Sequence, residues 1–275
     1  MKFKLFFLLS LVFVIHQTFA QQLAGRAYYK ASNQIMIRID SAEMGPEEIA
    51  NAKEIMKKPW ERDFILTFTQ TESNWSQAPT LTGSGQDSQS EGMTISLSGS
   101  QNDVLYKDLS QASFIQEQEF MGKEFLIQDA LEVKDWKLSE ETKQIGKYLA
   151  HKATYAQVVD SRRFSAGMEA MESIQDTIQI SVWYTPEIPV AHGPDTYFGL
   201  PGLILEVHNG GRAFYCEKIE LNPSTHPILI QVPKQGKVLS QKEFQAMQEE
   251  SIQQLQNRYQ GKPGGENGKK IRVGG

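Results

Sequence analysis

Leu203-Ile204-Leu205-Glu206-Val207-His208-Asn209-Gly210-Gly211-Arg212-Ala213-Phe214-Tyr215-Cys216-Glu217-Lys218-Ile219-Glu220-Leu221 is the stretch on which the fold turns. Strand-like runs flank Asn209-Gly210-Gly211, and Asn-Gly in that position is a strong hairpin signal, because both residues tolerate positive φ. The stretch reads as two antiparallel strands, 203–208 and 212–221. The same period of two recurs upstream. Phe64, Leu66 and Phe68 alternate with Ile65, Thr67 and Thr69, and Met93, Ile95 and Leu97 alternate with Thr94, Ser96 and Ser98. Ile178, Ile180, Val182 and Tyr184 share a face opposite Gln179, Ser181 and Trp183. Such alternation suits an antiparallel sheet with one face on a core. Further strands are expected near 24–30, 34–39, 103–107, 112–120, 123–128, 133–138 and 145–158.

Helices are few. The run 46–58 starts with Pro46, suited to a first helical turn, and with Glu47 and Glu48 where the macrodipole favours acids. Over 240–259, Ser240 and Glu243 make a capping box and Leu239 with Phe244 a hydrophobic staple. Phe244, Met247, Ile252, Leu255 and Tyr259 form a narrow stripe there. A third, short helix is expected near 166–173. Two segments read as loose: 71–90, rich in Ser, Gly, Thr and Gln, and 261–275, with six glycines. The second also holds Lys262, Lys269, Lys270 and Arg272 against Glu266, and reads as a solvated basic tail.

The 275 residues are 40% hydrophobic and 22% charged, values of a globular chain. A formal net charge of −5 argues against a nucleic-acid binder, which needs a basic face to meet phosphate. One cysteine, Cys216, excludes an intramolecular disulfide framework and a Cys-rich metal site. Lys2 and Lys4 followed by the apolar run 5–15 and by Thr18-Phe19-Ala20 read as a secretory signal peptide cleaved after Ala20. The run is too short for a membrane span of about 20 residues. No cysteine near Gln21 offers a lipid anchor, and no later segment is apolar enough to span. Cleavage takes the formal charge from −5 to −7. The expected location is the periplasm, with secretion or surface association as alternatives.

Between the strands ending at Tyr184 and starting at Leu203, Pro186, Pro189, Pro194 and Pro201 punctuate a stiff crossover. Proline cannot donate to a ladder, so the first strand must stop before it. Leu200-Pro201-Gly202-Leu203 is predicted as a type II turn, with Gly202 supplying positive φ. Trp183, Tyr184, Tyr197 and Phe198 lie at the crossover's ends, either as the rim of a pocket or as core filling.

Gly199-Leu200-Pro201-Gly202-Leu203-Ile204 resembles the namesake motif of the GLPGLI family of exported bacterial proteins. The approach through Trp183-Tyr184-Thr185-Pro186, Ile188-Pro189 and Gly193-Pro194 is similar too. So are Phe125-Leu126-Ile127 with Asp129, then Trp136, Glu141-Thr142-Lys143 with Ile145, Lys152-Ala153, and the segment 64–73. The resemblance runs from about residue 24 to residue 221. Where family members often carry a cysteine before the Lys-Ala pair, this chain has Ala150, so no role for that cysteine carries over. The resemblance implies a family and a compartment but no reaction.

The chemical motifs of common enzymes are missing. No G-x-S-x-G, H-E-x-x-H, P-loop or EF-hand occurs, and nothing calls for a cofactor. Of the histidines, His192 and His208 flank the crossover. With Glu187 or Asp195 they make a candidate metal pair. Cys216 reads as a small buried hydrophobe, and as a nucleophile only beside a histidine.

The expected fold is one β-rich α+β domain over 21–238, a strongly curved antiparallel sheet with two or three helices. An amphipathic helix over 239–260 and the tail follow. This arrangement resembles the half-barrel of periplasmic lipoprotein carriers, an analogy of fold alone. Three functions remain open. The first is a non-enzymatic envelope protein that binds an apolar small molecule or lipid, or assists an outer-membrane protein. Its ligand residues would be Trp136, Trp183, Tyr184, Tyr197, Phe198, Pro201 and Leu205. The second is a subunit docking on an outer-membrane complex through Phe244, Met247, Ile252 and Leu255. The third is a hydrolase using a metal or Cys216.

Overall fold

The computed structural model describes residues 23–33, 60–79, 103–163 and 172–260. Its strands are β1 (Gly25–Asn33), β2 (Trp60–Phe68), β3 (Glu72–Gln77), β4 (Val104–Asp108), β5 (Ser113–Phe120) and β6 (Lys123–Ala130). They continue with β7 (Lys137–Ile145), β8 (Tyr148–Arg163), β9 (Glu172–Thr185), β10 (Leu203–His208), β11 (Arg212–Leu221) and β12 (Lys237–Leu239). One helix, α1 (Gln241–Gln260), is present among the described residues. The strands form one open sheet in the order β12-β6-β5-β4-β3-β2-β1-β11-β10-β9-β8-β7.

The chain divides into two compact units. The first is Met1–Ser73 with Lys134–Ile230, and the second Asn74–Val133 with Gln231–Gly275. In the first, the predicted hairpin of β10 and β11 forms. Asn209 N–H donates to the Arg212 carbonyl at 3.0 Å, Arg212 N–H donates to Asn209 Oδ1 at 2.8 Å, and Gly210 takes φ +82°. Alternation works as expected: Ala27, Tyr29 and Ala31 of β1, Leu66 and Phe68 of β2, Val182 and Tyr184 of β9 and Phe214 of β11 are buried. Each large apolar side chain fully buried contributes roughly 1.5–3 kcal/mol. β10 carries an extra residue, because its register to β9 shifts between Ile204 and Glu206. Leu205 occupies that bulge and is buried.

In the second unit, α1 starts on its predicted capping box. Ser240 N–H donates to Glu243 Oε2 at 2.8 Å, and Glu243 N–H donates back to Ser240 Oγ at 3.3 Å. Donation from the Ser240 N–H and from its hydroxyl holds the Glu243 carboxyl below the usual carboxylate range. Phe244 packs with Phe125 and Ile127 of β6, and Phe114, Phe120, Leu239 and Met247 surround them. The rings of Phe125 and Phe120 stand edge-on to Phe244 at 5.4 and 6.1 Å.

Several expectations need correction. The sheet is mixed rather than wholly antiparallel, because β12 pairs with β6 in parallel register. Three residues show no alternation, so this strand left no periodic trace. Among the described residues one helix is found; the helix expected at 46–58 lies outside them, as does most of 166–173, whose last two residues open β9. Expected strands at 34–39 and 93–98 are also outside them. Residues 72–77 of the expected loop form β3, with Ser73 and Trp75 buried on one face. The strand expected at 133–138 starts only at Lys137, because Trp136 N–H turns back to the Lys134 carbonyl at 3.0 Å. The strand expected at 145–158 is β8, and the middle of β7, 139–144, lies outside any expected strand because the sequence KLSEETKQI is polar on both faces. Among the described residues, no helix is long and apolar enough to cross a membrane.

Candidate functional site

The crossover 186–202 is pinned to the first unit by backbone bonds. Leu203 N–H donates to the Ile188 carbonyl and Ile204 N–H to the His192 carbonyl, both at 3.0 Å, and Gly199 N–H to the Ala191 carbonyl at 2.9 Å. Ile188, Val190, His192, Tyr197, Phe198 and Leu200 are all buried. The six-residue motif now has a physical reading. Gly199, not Gly202, takes positive φ, at +91°. Pro201 is exposed and spans a tight turn in which Gly202 N–H donates to the Leu200 carbonyl at 2.8 Å, so the expected type II turn does not form. Gly202 is required by space instead: a β-carbon there would lie 2.1 Å from the Thr185 carbonyl oxygen. Leu200, Leu203 and Ile204 are the buried apolar members.

The residues expected around a ligand divide among different surroundings. Trp136 stacks edge-on against Tyr155 at 4.7 Å and donates its indole N–H to the Phe198 carbonyl at 2.9 Å. Tyr197 accepts from Asn209 Nδ2 at 3.0 Å and stands edge-on to Phe214; burial pushes its phenol up. Tyr184 is buried beside the His151 ring. Trp183 is half-buried under two ammonium groups, Lys143 Nζ at 4.4 Å and Lys152 Nζ at 5.9 Å from the ring centre. Lys143 bonds both carboxylate oxygens of Glu206 at 2.8 Å, and Lys152 bonds Glu141 at 2.9 and 3.0 Å. The Lys152 contact holds the Glu141 carboxyl low. These charges satisfy one another and leave the Trp183 face covered.

His192 lies against Phe68, whereas His208 meets Glu206 at 2.5 Å and stands edge-on to Tyr215. Glu187 accepts from Leu149 N–H at 2.8 Å, and Asp195 lies 3.5 Å from Arg212. Among the described residues, no group of three His, Cys, Asp or Glu side chains is placed to hold a metal ion. Phe244 is buried and Met247 and Ile252 half-buried, while the Leu255 side chain lies outside the described residues.

Leu205 leads to a feature that the period of two did not reveal. A half-open cleft of about 180 Å³ is lined by Ile145, Gly146, Lys147 and Tyr148 at the β7–β8 turn, Leu205 in the β10 bulge, and Cys216, Glu217, Lys218 and Ile219 of β11. Two irregularities shape it. Gly146 takes φ +57°, and the β1–β11 register shifts between Tyr28 and Tyr29, leaving Glu217 as an extra residue. Bulges of this kind re-aim side chains and are invisible to alternation. Burial pushes the Cys216 thiol up to about 12, so it stays protonated at neutral pH and lacks the thiolate a nucleophile needs. Tyr29 beside it is also raised, chiefly by burial, and its hydroxyl donates to the Ile204 carbonyl at 2.6 Å.

A family model described as "Protein of unknown function (Porph_ging)" matches residues 136–206. That span runs from Trp136 through β7, β8, β9 and the crossover into β10, and contains the motif on which the GLPGLI resemblance rests. No curated protein matches the chain. Two solved structures, described as "Structure of PNGF-II in C2 space group" and "Structure of PNGF-II in P21 space group", resemble it at 14% and 12% identity with TM-scores of 0.47 and 0.44. Each match covers 82% of this chain, which spans 32% and 33% of the length of those proteins. Likeness at that level transfers neither activity nor ligand.

Proposed function

We propose that the protein is a non-enzymatic, exported binding protein of the GLPGLI type that takes a small apolar ligand. The observation that carries the reading is the cleft at the β7–β8 turn, whose walls include Ile145, Tyr148, Leu205 and Ile219. Lys147, Glu217 and Lys218 share the lining with these side chains, and ligand sites combine apolar walls with a few polar groups. At about 180 Å³ the space is below the roughly 300–1,000 Å³ of drug-sized sites, so the ligand is a short chain or a ring rather than a whole lipid. A protonated Cys216 in the wall behaves as a soft apolar surface. The leader-like segment at 1–20 supports export. Docking through the helix is less favoured, because Phe244, first residue of the proposed stripe, is occupied in the α1–β6 cluster.

Native mass spectrometry on protein purified gently from its own envelope tests the reading. A discrete mass excess, lost on denaturation, is the expected result. An apo mass, together with no saturable binding of short-chain probes at the cleft, would overturn it.

A further inference from the structure

We infer that the cleft is specific for a small amphiphilic anion, a short apolar tail ending in a carboxylate-like head, and this rests on the apolar-ligand reading above. The argument is the charge pattern at its mouth. Three charged residues line the cleft: Lys147, Glu217 and Lys218. Lys218 is engaged, since its ammonium lies 2.7 Å from Glu220 and 5.1 Å from the centre of the Tyr28 ring. Glu217 is engaged as well, 3.4 Å from Lys30, which also faces Glu61 at 3.7 Å. Lys147 differs. Its ammonium sits 5.2 Å from the centre of the Tyr148 ring, and among the described residues it has no carboxylate partner.

The cleft therefore presents apolar side chains beside charged ones, and Lys147 is its cation with no carboxylate partner among the described residues. A cation at the rim of an apolar space selects a ligand with an anion at one end, and penalises one with an ammonium there. Lys147 is well placed to meet such a head without losing solvation. It follows Gly146, whose left-handed φ of +57° sets the turn, and it is exposed. The tail would lie toward Leu205, which the β10 bulge supplies, and Ile219. The cleft's size limits that tail to a few carbons.

Titration of the purified protein with hexanoate, hexan-1-ol, hexylammonium and acetate, followed by backbone amide shifts, tests this. The expected result is saturable shifts confined to 145–148, 205 and 216–219, with hexanoate binding tighter than hexan-1-ol. Hexylammonium and acetate should be the weakest. Lys147→Glu should weaken hexanoate by about three- to five-fold, the scale of one exposed charge contact, and leave hexan-1-ol unchanged. Lys147→Arg should restore hexanoate. If hexan-1-ol binds as well as hexanoate, or Lys147→Glu leaves hexanoate unaffected, the anion assignment fails while the apolar reading stands. Acetate binding as tightly as hexanoate would reduce the effect to surface charge and overturn the assignment. If none of the probes shifts these amides, both readings fall.

Discussion

Gly202 lies so close to Thr185 that a β-carbon on it would stand 2.1 Å from the Thr185 carbonyl oxygen and 2.5 Å from the carbonyl carbon. The contact joins the end of β9 to the start of β10 across the crossover. Backbone cannot yield as a flexible side chain does. Gly202→Ala should destabilise the first unit by roughly 3 kcal/mol, at the upper end of overpacking costs. Pro201→Ala, at an exposed neighbour, should cost well under half of that. Urea unfolding of both variants checks the pair; equal midpoints would show that Gly202 serves something other than close approach.

Trp136 offers a second test. Its indole N–H donates to the Phe198 carbonyl inside the packed crossover. Trp136→Phe keeps much of the ring contact with Tyr155 but leaves that carbonyl without its donor. A cost of about 1–3 kcal/mol is expected from the unsatisfied group, read as a lower thermal midpoint. An unchanged midpoint would mean that solvent reaches Phe198 O.

The α1 helix depends on one anchor. Phe244→Ala removes the residue around which Phe125, Phe120 and Ile127 pack. Deletions of this kind typically cost about 3–5 kcal/mol, and circular dichroism at 222 nm should show the helix signal falling. Ser240→Ala removes only the cap, at roughly 1 kcal/mol. If Phe244→Ala leaves the helix signal intact, the stripe is not what holds α1.

Alkaline pH should weaken the first unit. The folded Cys216 thiol ionises near 12, above its unfolded value, so the unfolded chain releases its proton first. Stability from this source is fully present below the unfolded value of about 8.5 and is lost as pH rises toward 12. Tyr29, raised by burial, works in the same direction at higher pH. Thermal melts from pH 8 to 11 on the protein and on Cys216→Ala should show a shallower decline in the variant. Parallel curves would assign the loss elsewhere.

Much of this was written in the local sequence. The β10–β11 hairpin followed from Asn209-Gly210 between strand-like runs, and the start of α1 from Ser240 and Glu243. Both are near-neighbour devices, in which turn chemistry and capping act within a few residues, so a linear reading reaches them. The middle of β7 and all of β12 lie outside the expected strands because a polar edge strand and a three-residue parallel strand carry no alternation. The placement of positive φ at Gly199 rather than Gly202 was also out of reach, since the constraint at Gly202 comes from Thr185, a partner brought near only by the crossover. The cleft is tertiary in the same sense. It draws on residues 145–148, 205 and 216–219, which share no motif. They meet because strands β7 and β8 turn at Gly146 while bulges in β10 and β11 displace Leu205 and Glu217. The sequence by itself determined the period, the hairpin and the helix cap. Only the tertiary structure decided which side chains face one another across strands, because register shifts and close backbone approaches are properties of paired segments and not of either segment alone.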